Sequence, residues 1–276
     1  ERVFGLMKEQ PEVDYIISDP AREVSIKDFK GAIKFENVWF AYNGSDYVLK
    51  DISFQIETGQ SAALVGVTGS GKTSIASILT RLYEIQKGTI WLDQIDIRKM
   101  EKIGLRHVIG LVSQDVFLFA GTLRDNITLF NPLSDLQVLE TIESLGLMPF
   151  IDRMPGGLDM EIAERGANLS VGERQFISLS RIIIYDPRVI ILDEATSSMD
   201  PISEVLIQNA IQKVTQGRTS IIIAHRLSTI LHCDRIIVLN KGEKVEEGSH
   251  EELLRKGGLY SQLYKVYMKE ELIGHA

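Results

Sequence analysis

Three stretches of the chain alternate apolar and polar residues: IKFENVWFAY at 33–42, LKDISFQIETGQ at 49–60 and IWLDQIDI at 90–97. Alternation of this kind puts every second side chain on a buried face, so the three stretches predict half-buried antiparallel strands of one sheet layer. Four other apolar runs do not alternate: AALV at 62–65, VIGLV at 108–112, VIIL at 189–192 and SIIIA at 220–224. Short continuous runs of Val, Ile and Leu suit strands buried on both faces, the mark of a parallel sheet covered by helices. Helical segments lie between them, TSIASILTRLYE at 73–84 and the stretch following Ser170 among them. The block from about 118 to 185 has helical periodicity and few strand signals, which predicts a helical lobe inserted in an α/β core. At the start, ERVFGLMKEQPEV reads as a helix tail stopped near Pro11, and the polar stretch to Lys30 reads as a linker.

One helix start is written out in the residues LSVGERQ at 169–175. Ser170 stands at an N-cap position and Glu173 three residues on, as in a capping box, while Gly172 leaves room for a ligand to approach the backbone. Exposed N–H groups at such an end favour an anion, which raises the question of which anion this helix would face.

In an open parallel sheet, ligands bind outside the carboxyl ends of the strands. After AALV comes GVTGSGKTS, after VIGLV come Ser113 and Gln114, after VIIL come Asp193 and Glu194, and after SIIIA comes His225. A phosphate-binding loop, an amide, two carboxylates and an imidazole are thereby predicted at one sheet edge. Gly66-Val67-Thr68-Gly69-Ser70-Gly71-Lys72-Thr73, followed by Ser74, fits G-x-x-x-x-G-K-[ST]. Its glycines let backbone N–H groups wrap phosphates, Lys72 brings a compact positive charge to the β and γ groups, and Thr73 can ligate Mg²⁺. Asp193 is the expected carboxylate on the Mg²⁺ side and Glu194 the candidate general base for an attacking water. His225 would reach a γ-phosphate and orient water, and Gln114 would sense Mg²⁺ and water. Tyr42, at the end of its strand, either stacks on a base or packs against its neighbours.

The formal net charge of −8, from 30 basic and 38 acidic residues, argues against a nucleic-acid partner, which is held mainly by basic side chains. Cys233 is the only cysteine, so no intrachain disulfide can form, a reducing compartment is expected, and the residue reads as a small buried hydrophobe. No apolar run reaches the roughly 18 residues that would cross a bilayer. The chain is therefore expected to be soluble as given and, since it begins at Glu1 rather than Met, is expected to be a fragment.

Taken in order, Tyr42, GVTGSGKT, Gln114, LSVGE, ILDEATSSMD and AHRLST resemble the motifs of the nucleotide-binding domain of ABC transporters, over nearly the whole chain from Gly31 to about Tyr264. The resemblance implies a P-loop NTPase (RecA-like) parallel-sheet core with an antiparallel β subdomain and an inserted α-helical subdomain, spanning 31–270 with a short tail at 271–276. It implies ATP and Mg²⁺ as ligands and a motor function. In that family two such domains pair head to tail, and the signature helix of one caps the ATP bound by the P-loop of the other. Ser170 and Gly172 would then face a neighbour's γ-phosphate, and Asp200 would cross the dimer seam. QDVFLFAGTLRDNI and EIAERG look like exporter-type segments, in which case residues 1–30 would continue from a last membrane helix. The implied partners are a second nucleotide-binding domain and transmembrane domains, at the cytoplasmic face of a membrane.

Two positions depart from the family's usual LSGGQ: Val171 replaces Gly and Glu173 replaces Gln. Either the variant is tolerated, since Ser170 and Gly172 remain, or valine stiffens the loop and the carboxylate weakens binding of a phosphate. The second case predicts a heterodimer in which this chain supplies Lys72, Asp193, Glu194 and His225 and its altered signature faces the partner's poorer site. Three other functions compete. A GTP switch would need N-K-x-D after a strand, and the nearest segment, Asn240-Lys241-Gly242-Glu243, ends in Glu. A non-transport ABC ATPase of chromosomes or DNA repair would need coiled-coil insertions, and no sustained heptads occur. A module that holds ATP without turnover would not need both Glu194 and His225.

Overall fold

The computed structural model describes residues 28–113, 115–193, 199–223 and 227–274. The alternating stretches become β1 (Ile33–Phe40), β2 (Leu49–Ile56), β4 (Lys87–Leu92) and β5 (Ile95–Asp96). They form one antiparallel sheet in the order β2-β1-β4-β5. Phe35 and Phe54 face each other across β1 and β2 with stacked rings 4.4 Å apart, an aromatic cross-strand pair that helps fix this register.

The continuous runs become β3 (Ser61–Val65), β6 (Ile109–Val112), β9 (Val189–Asp193) and β10 (Thr219–Ile223), four parallel neighbours. Two further strands, β11 (Arg235–Asn240) and β12 (Glu243–Gly248), complete a six-stranded sheet in the order β12-β11-β3-β10-β9-β6. Side chains along each strand go alternately to two cores. Ala62, Leu64, Ile191, Ile221 and Ile223 pack toward the antiparallel sheet, whereas Ala63, Val65, Ile190, Leu192 and Ile222 pack toward the helices. Both faces are buried, which is why these runs are apolar apart from Ser220 at the start of the last.

The helix after β3 is shorter than its periodicity predicts. It is α1 (Lys72–Leu79), and the expected last turn to Glu84 is absent. Thr80 returns its hydroxyl to the Ala76 carbonyl at 2.9 Å, and Arg81 takes a left-handed φ of 50°. That conformation turns its guanidinium inward to the carbonyls of Ile97 and Met100, at 3.0 and 2.7 Å. A short helix, α2 (Lys102–Val108), then leads into β6.

The helical block holds α3 (Leu123–Thr128), α4 (Asp135–Leu145), α5 (Met148–Arg153) and α6 (Val171–Tyr185), together with a small pair of strands, β7 (Gly121–Thr122) and β8 (Glu161–Ile162), that the periodicity did not announce. Three of its helices begin with reciprocal capping boxes, Thr122 with Asp125, Ser134 with Gln137, and Ser170 with Glu173. The box predicted at Ser170 is thus observed, with the Glu173 carboxylate 2.7 Å from the Ser170 N–H. After β9, α7 (Pro201–Thr215) packs along α6 and leads to β10. The C-terminal part adds α8 (Leu227–Leu231), α9 (His250–Lys256) and α10 (Leu259–Gly274). Cys233 is buried, as its sequence setting predicts.

Asn240-Lys241-Gly242-Glu243, the segment compared with a guanine-reading motif, is the hairpin turn between β11 and β12. Lys241 and Gly242 have φ of 50° and 84°, the sign pattern of a type I′ turn. Gly242 donates its N–H to the Ser70 carbonyl at 3.2 Å and accepts from the Lys50 N–H at 2.8 Å, so the turn braces the back of the glycine loop.

Candidate nucleotide site

The parallel strands β3, β10 and β9 are in register at their carboxyl ends, where Ile223 lies opposite both Leu64 and Asp193. The loop after β3 and the carboxylate at the end of β9 therefore meet at one edge. Gln114, Glu194 and His225 lie outside the described residues. Each follows directly in sequence on a strand or strand-end residue that reaches this edge, or within two residues of one.

Residues 66–71 form the loop between β3 and α1. A Cβ on Gly66 would lie 2.3 Å from the Leu239 carbonyl oxygen, and one on Gly71, which has φ of 106°, would lie 2.5 Å from Leu49 Cδ2. The loop can press this closely on β11 and β2 only without side chains at those positions. Val67, Thr68 and Gly69 form the exposed crown, while Ser70, Gly71 and Lys72 are buried beneath it. The Ser70 hydroxyl is enclosed and has no hydrogen-bond partner among the described residues.

α1 begins with no side-chain cap and no acidic residue in its first turn. Its first N–H groups have no partner within the helix, and the positive end of its dipole is not answered by a carboxylate of that turn. Lys72 Nζ donates back to the carbonyls of Gly66 at 2.7 Å and Val67 at 3.2 Å, which pins the loop into an arc around one ammonium. Burial pushes the Lys72 pKa down, and attraction from Asp193 opposes that shift. A desolvated ammonium, open helix N–H groups and an enclosed hydroxyl define a receptor for a polyanion, and phosphate fits it.

Thr73 Oγ1 lies 3.4 Å from Asp193 Oδ2, so the two side chains read as Mg²⁺ ligands are brought side by side. Thr73 is exposed and Asp193 partly so, leaving their oxygens within reach of a hydrated cation. Tyr42 stands over the same helix. Its hydroxyl is 3.0 Å from Ser74 Oγ, and its ring meets Phe40 and Tyr83 edge-on at 4.7 and 4.9 Å. The ring packs and yet remains 43% exposed, so it keeps a face for a planar ligand. Tyr83, which carries no motif signal in the sequence, is the neighbour that orients it.

Ser170, Gly172 and Asp200 form a second cluster, tied to α6 and α7. Ser170 is exposed and caps α6, accepting from the Glu173 N–H at 3.3 Å. Asp200 is exposed and caps α7, accepting from the Ser203 N–H at 3.0 Å. Hydrogen bonds from the Ser203 side chain, first, and from its backbone N–H hold the Asp200 pKa below the usual carboxylate value. Gly172, expected to admit a ligand, is buried, and a Cβ there would lie 2.9 Å from Ser203 Cβ. Its bareness allows the close approach of α6 and α7. Ser203 thus links the two caps, a role invisible in the sequence because it depends on two helices meeting.

A glycine loop that wraps a lysine between a strand and an uncapped helix, with a threonine and an aspartate beside it, defines a P-loop nucleotide-binding domain. A family profile described as ABC transporter matches residues 49–197, and the chain belongs to that family. Among its relatives, the uncharacterized ABC transporter ATP-binding protein YknV of Bacillus subtilis (strain 168) is 44% identical over 267 residues, 96% of this chain and 44% of that protein. An ATP-dependent lipid A-core flippase of Legionella pneumophila (strain Paris) is 48% identical over 238 residues, 86% of this chain and 40% of the flippase. The solved structure of a bacterial Atm1-family ABC exporter with ATP bound superposes with a TM-score of 0.85 at 36% identity, covering 96% of this chain and 46% of that one. The chain spans less than half the length of these relatives. Among the described residues, no helix is long and apolar enough to cross a membrane.

Proposed function

We propose that this chain is the ATP-hydrolysing motor of an ABC exporter, working at the cytoplasmic face of a membrane as one of two paired nucleotide-binding domains joined to transmembrane domains. The observation that carries the reading is the arc closed by Lys72 Nζ on the Gly66 and Val67 carbonyls at the uncapped start of α1, with Thr73 and Asp193 adjoining. Lys72, the loop N–H groups and the N-terminus of α1 hold the phosphates, and Tyr42 takes the base on its exposed face. Thr73, Asp193 and Gln114 are the residues that would hold Mg²⁺, which supplies neutralisation of phosphate charge when bound. Glu194 accepts the proton of the attacking water, and His225 orients that water against the terminal phosphate.

The exposed Ser170 at the head of α6 is suited to a phosphate presented by a second chain, and Asp200 sits on the adjoining helix end at the same surface. The docking of transmembrane domains is supported by a groove of about 610 Å³ between α2, β6 and α6, lined in part by Leu82, Ile103, Phe117, Leu129 and Ile182. Of these, Leu82, Ile103, Phe117 and Leu129 are exposed, an apolar surface suited to another protein element rather than to water.

The test is Glu194→Gln. Nucleotide affinity should be kept while turnover falls by roughly 10²-fold or more, since a group acting at the transition state is removed. Undiminished hydrolysis would take Glu194 out of the base role. Ser170→Ala should leave nucleotide binding to the monomer intact and lower ATP-driven pairing of chains. Pairing at wild-type ATP concentrations would remove Ser170 from the interface.

A further inference from the structure

Residues 116–119, which follow Gln114 closely, belong to no strand or helix, yet backbone groups of Phe117 and Phe119 are bonded by side chains. Asn126 on α3 is fully buried and pairs with both polar groups of Phe119: its Oδ1 accepts the Phe119 N–H at 2.9 Å and its Nδ2 donates to the Phe119 carbonyl at 2.9 Å. The same Nδ2 also donates to the Thr122 carbonyl at 3.1 Å. Arg181 on α6 reaches across with its guanidinium fork. Nε donates to the Asn126 carbonyl at 2.6 Å, Nη1 to the Phe117 carbonyl at 2.8 Å and Nη2 to Asn126 Oδ1 at 3.3 Å. Two side chains thus supply the bonds that a sheet or helix would otherwise give to this segment.

Every acceptor of that fork named here is a carbonyl or amide oxygen, not a carboxylate. Burial pushes the Arg181 pKa down to about 10, so the group is charged at neutral pH and is held in place by oriented dipoles. An apolar side chain could fill much of this space without the cost of desolvating a cation, so stability alone does not explain an arginine here. What an apolar residue could not do is grip two backbone carbonyls at once in a fixed plane. Arg181 also lies 11 residues after Ser170 on one continuous helix, a distance of about 16 Å along a rigid axis.

We propose that Arg181 is a positioning residue that fastens the segment after Gln114 to α6, so that this segment and Ser170 move as one body when nucleotide binds. The proposal rests on the roles given above to Gln114 and Ser170. Through the clasp, a displacement of residues 116–119 becomes a displacement of the helix end offered to a second chain. Asn126 completes the link by locking the same segment to α3.

The test compares Arg181→Met, Arg181→Lys and Ser170→Ala in the chain with Mg²⁺ and ATP. It reads nucleotide affinity, turnover, and amide hydrogen exchange of 115–122 and of 168–175. In the wild type, nucleotide should protect both segments together. Arg181→Met should keep nucleotide affinity within about twofold and lower turnover by about 3- to 30-fold, the range of coupling changes at sites remote from ligand. Its protection should persist at 115–122 and be lost at 168–175. Arg181→Lys keeps the charge without the fork and should behave like Arg181→Met. Wild-type turnover and joint protection in the lysine variant would overturn the proposal. So would a fall in nucleotide affinity that matches the fall in turnover, because it would mark a general loss of structure. If Ser170→Ala pairs and turns over normally, Ser170 loses its place at the interface, while the exchange data still decide whether Arg181 couples the two segments.

Discussion

Gly172→Ala separates two explanations of a signature glycine. A methyl group at 172 would lie 2.9 Å from Ser203 Cβ and 3.3 Å from its Oγ. Carbon atoms are comfortable at about 3.5–4.0 Å, so α6 and α7 must part by roughly half an ångström or more. Ser203 cannot swing away, because the clashing atom is its Cβ and its own N–H is fixed on Asp200. Overpacking of this kind costs about 1–3 kcal/mol, and alanine in place of helical glycine offsets about 1 kcal/mol of it. A net loss near 1 kcal/mol lowers the melting temperature by roughly 2–4 °C for a chain of this size.

The functional effect should be larger than the thermal one, because the displaced contact lies between the caps at Ser170 and Asp200. A misplacement of about 1 Å can cost about 10²-fold in rate, so half of it implies about tenfold in turnover. Gly172→Ala combined with Ser203→Gly moves the lost space from one helix to the other and should restore most of the turnover. Steady-state ATP hydrolysis and thermal unfolding of the single and double variants check both numbers. A double variant as impaired as Gly172→Ala, with an unchanged melting temperature throughout, would show that the glycine is bare for a ligand's sake and refute the packing explanation.

Two other outcomes are expected. Lys72 has a pKa below its ordinary 10.5 because it is desolvated, so it loses its proton at lower pH than an exposed lysine. ATP affinity, measured by titration, should be flat near neutrality and begin to fall before pH reaches 10.5, and Lys72→Met should bind weakly without that dependence. Without nucleotide, the sign for folding is the reverse: the charged form is the disfavoured one in the fold, so its cost is fully present at low pH and eases as pH rises toward 10.5. Gly258→Ala should loosen the C-terminal helix, because a Cβ there would lie 1.6 Å from Glu246 Oε1, and that carboxylate accepts the N–H groups of Leu259 and Tyr260 at 2.8 and 2.9 Å. Losing those two bonds at the head of α10 should cost about 2 kcal/mol, seen by calorimetry as a drop of roughly 4–8 °C.

The parts of the fold legible in the sequence are those whose signal is local. Doubly buried strands announce themselves as unbroken apolar runs, the half-buried sheet as alternation, and the head of α6 as Ser170 with Glu173. β12 was not legible: its residues EKVEEG are charged and lie at a sheet edge, where burial imposes no pattern. Helix α1 ends early because Arg81 is bound by carbonyls at 97 and 100, a contact that no window around residue 81 contains. At the site, the glycine loop and Asp193 could be read from motif and strand position. Ser203 behind Gly172, Tyr83 beside Tyr42, and the Arg181–Asn126 clasp could not, since each joins residues far apart in the chain through tertiary contact.

The two helix ends assigned to phosphate differ in how much of their capacity the chain itself uses. α1 carries no side-chain cap and no acid in its first turn, so no group of that turn competes with a ligand for its N–H groups and dipole. α6 is closed upon itself: the Ser170 N–H is taken by the Glu173 carboxylate and the Glu173 N–H by the Ser170 hydroxyl oxygen. Glu173 therefore has a structural partner within the chain, and its negative charge is partly answered by the helix end that it caps. What α6 can still offer a second chain is the Ser170 hydroxyl proton and the N–H groups of the first turn, in the presence of a nearby carboxylate. The first end is built to hold an anion by itself. The second can add only to an anion already held elsewhere, which is the asymmetry that a site shared between two chains requires.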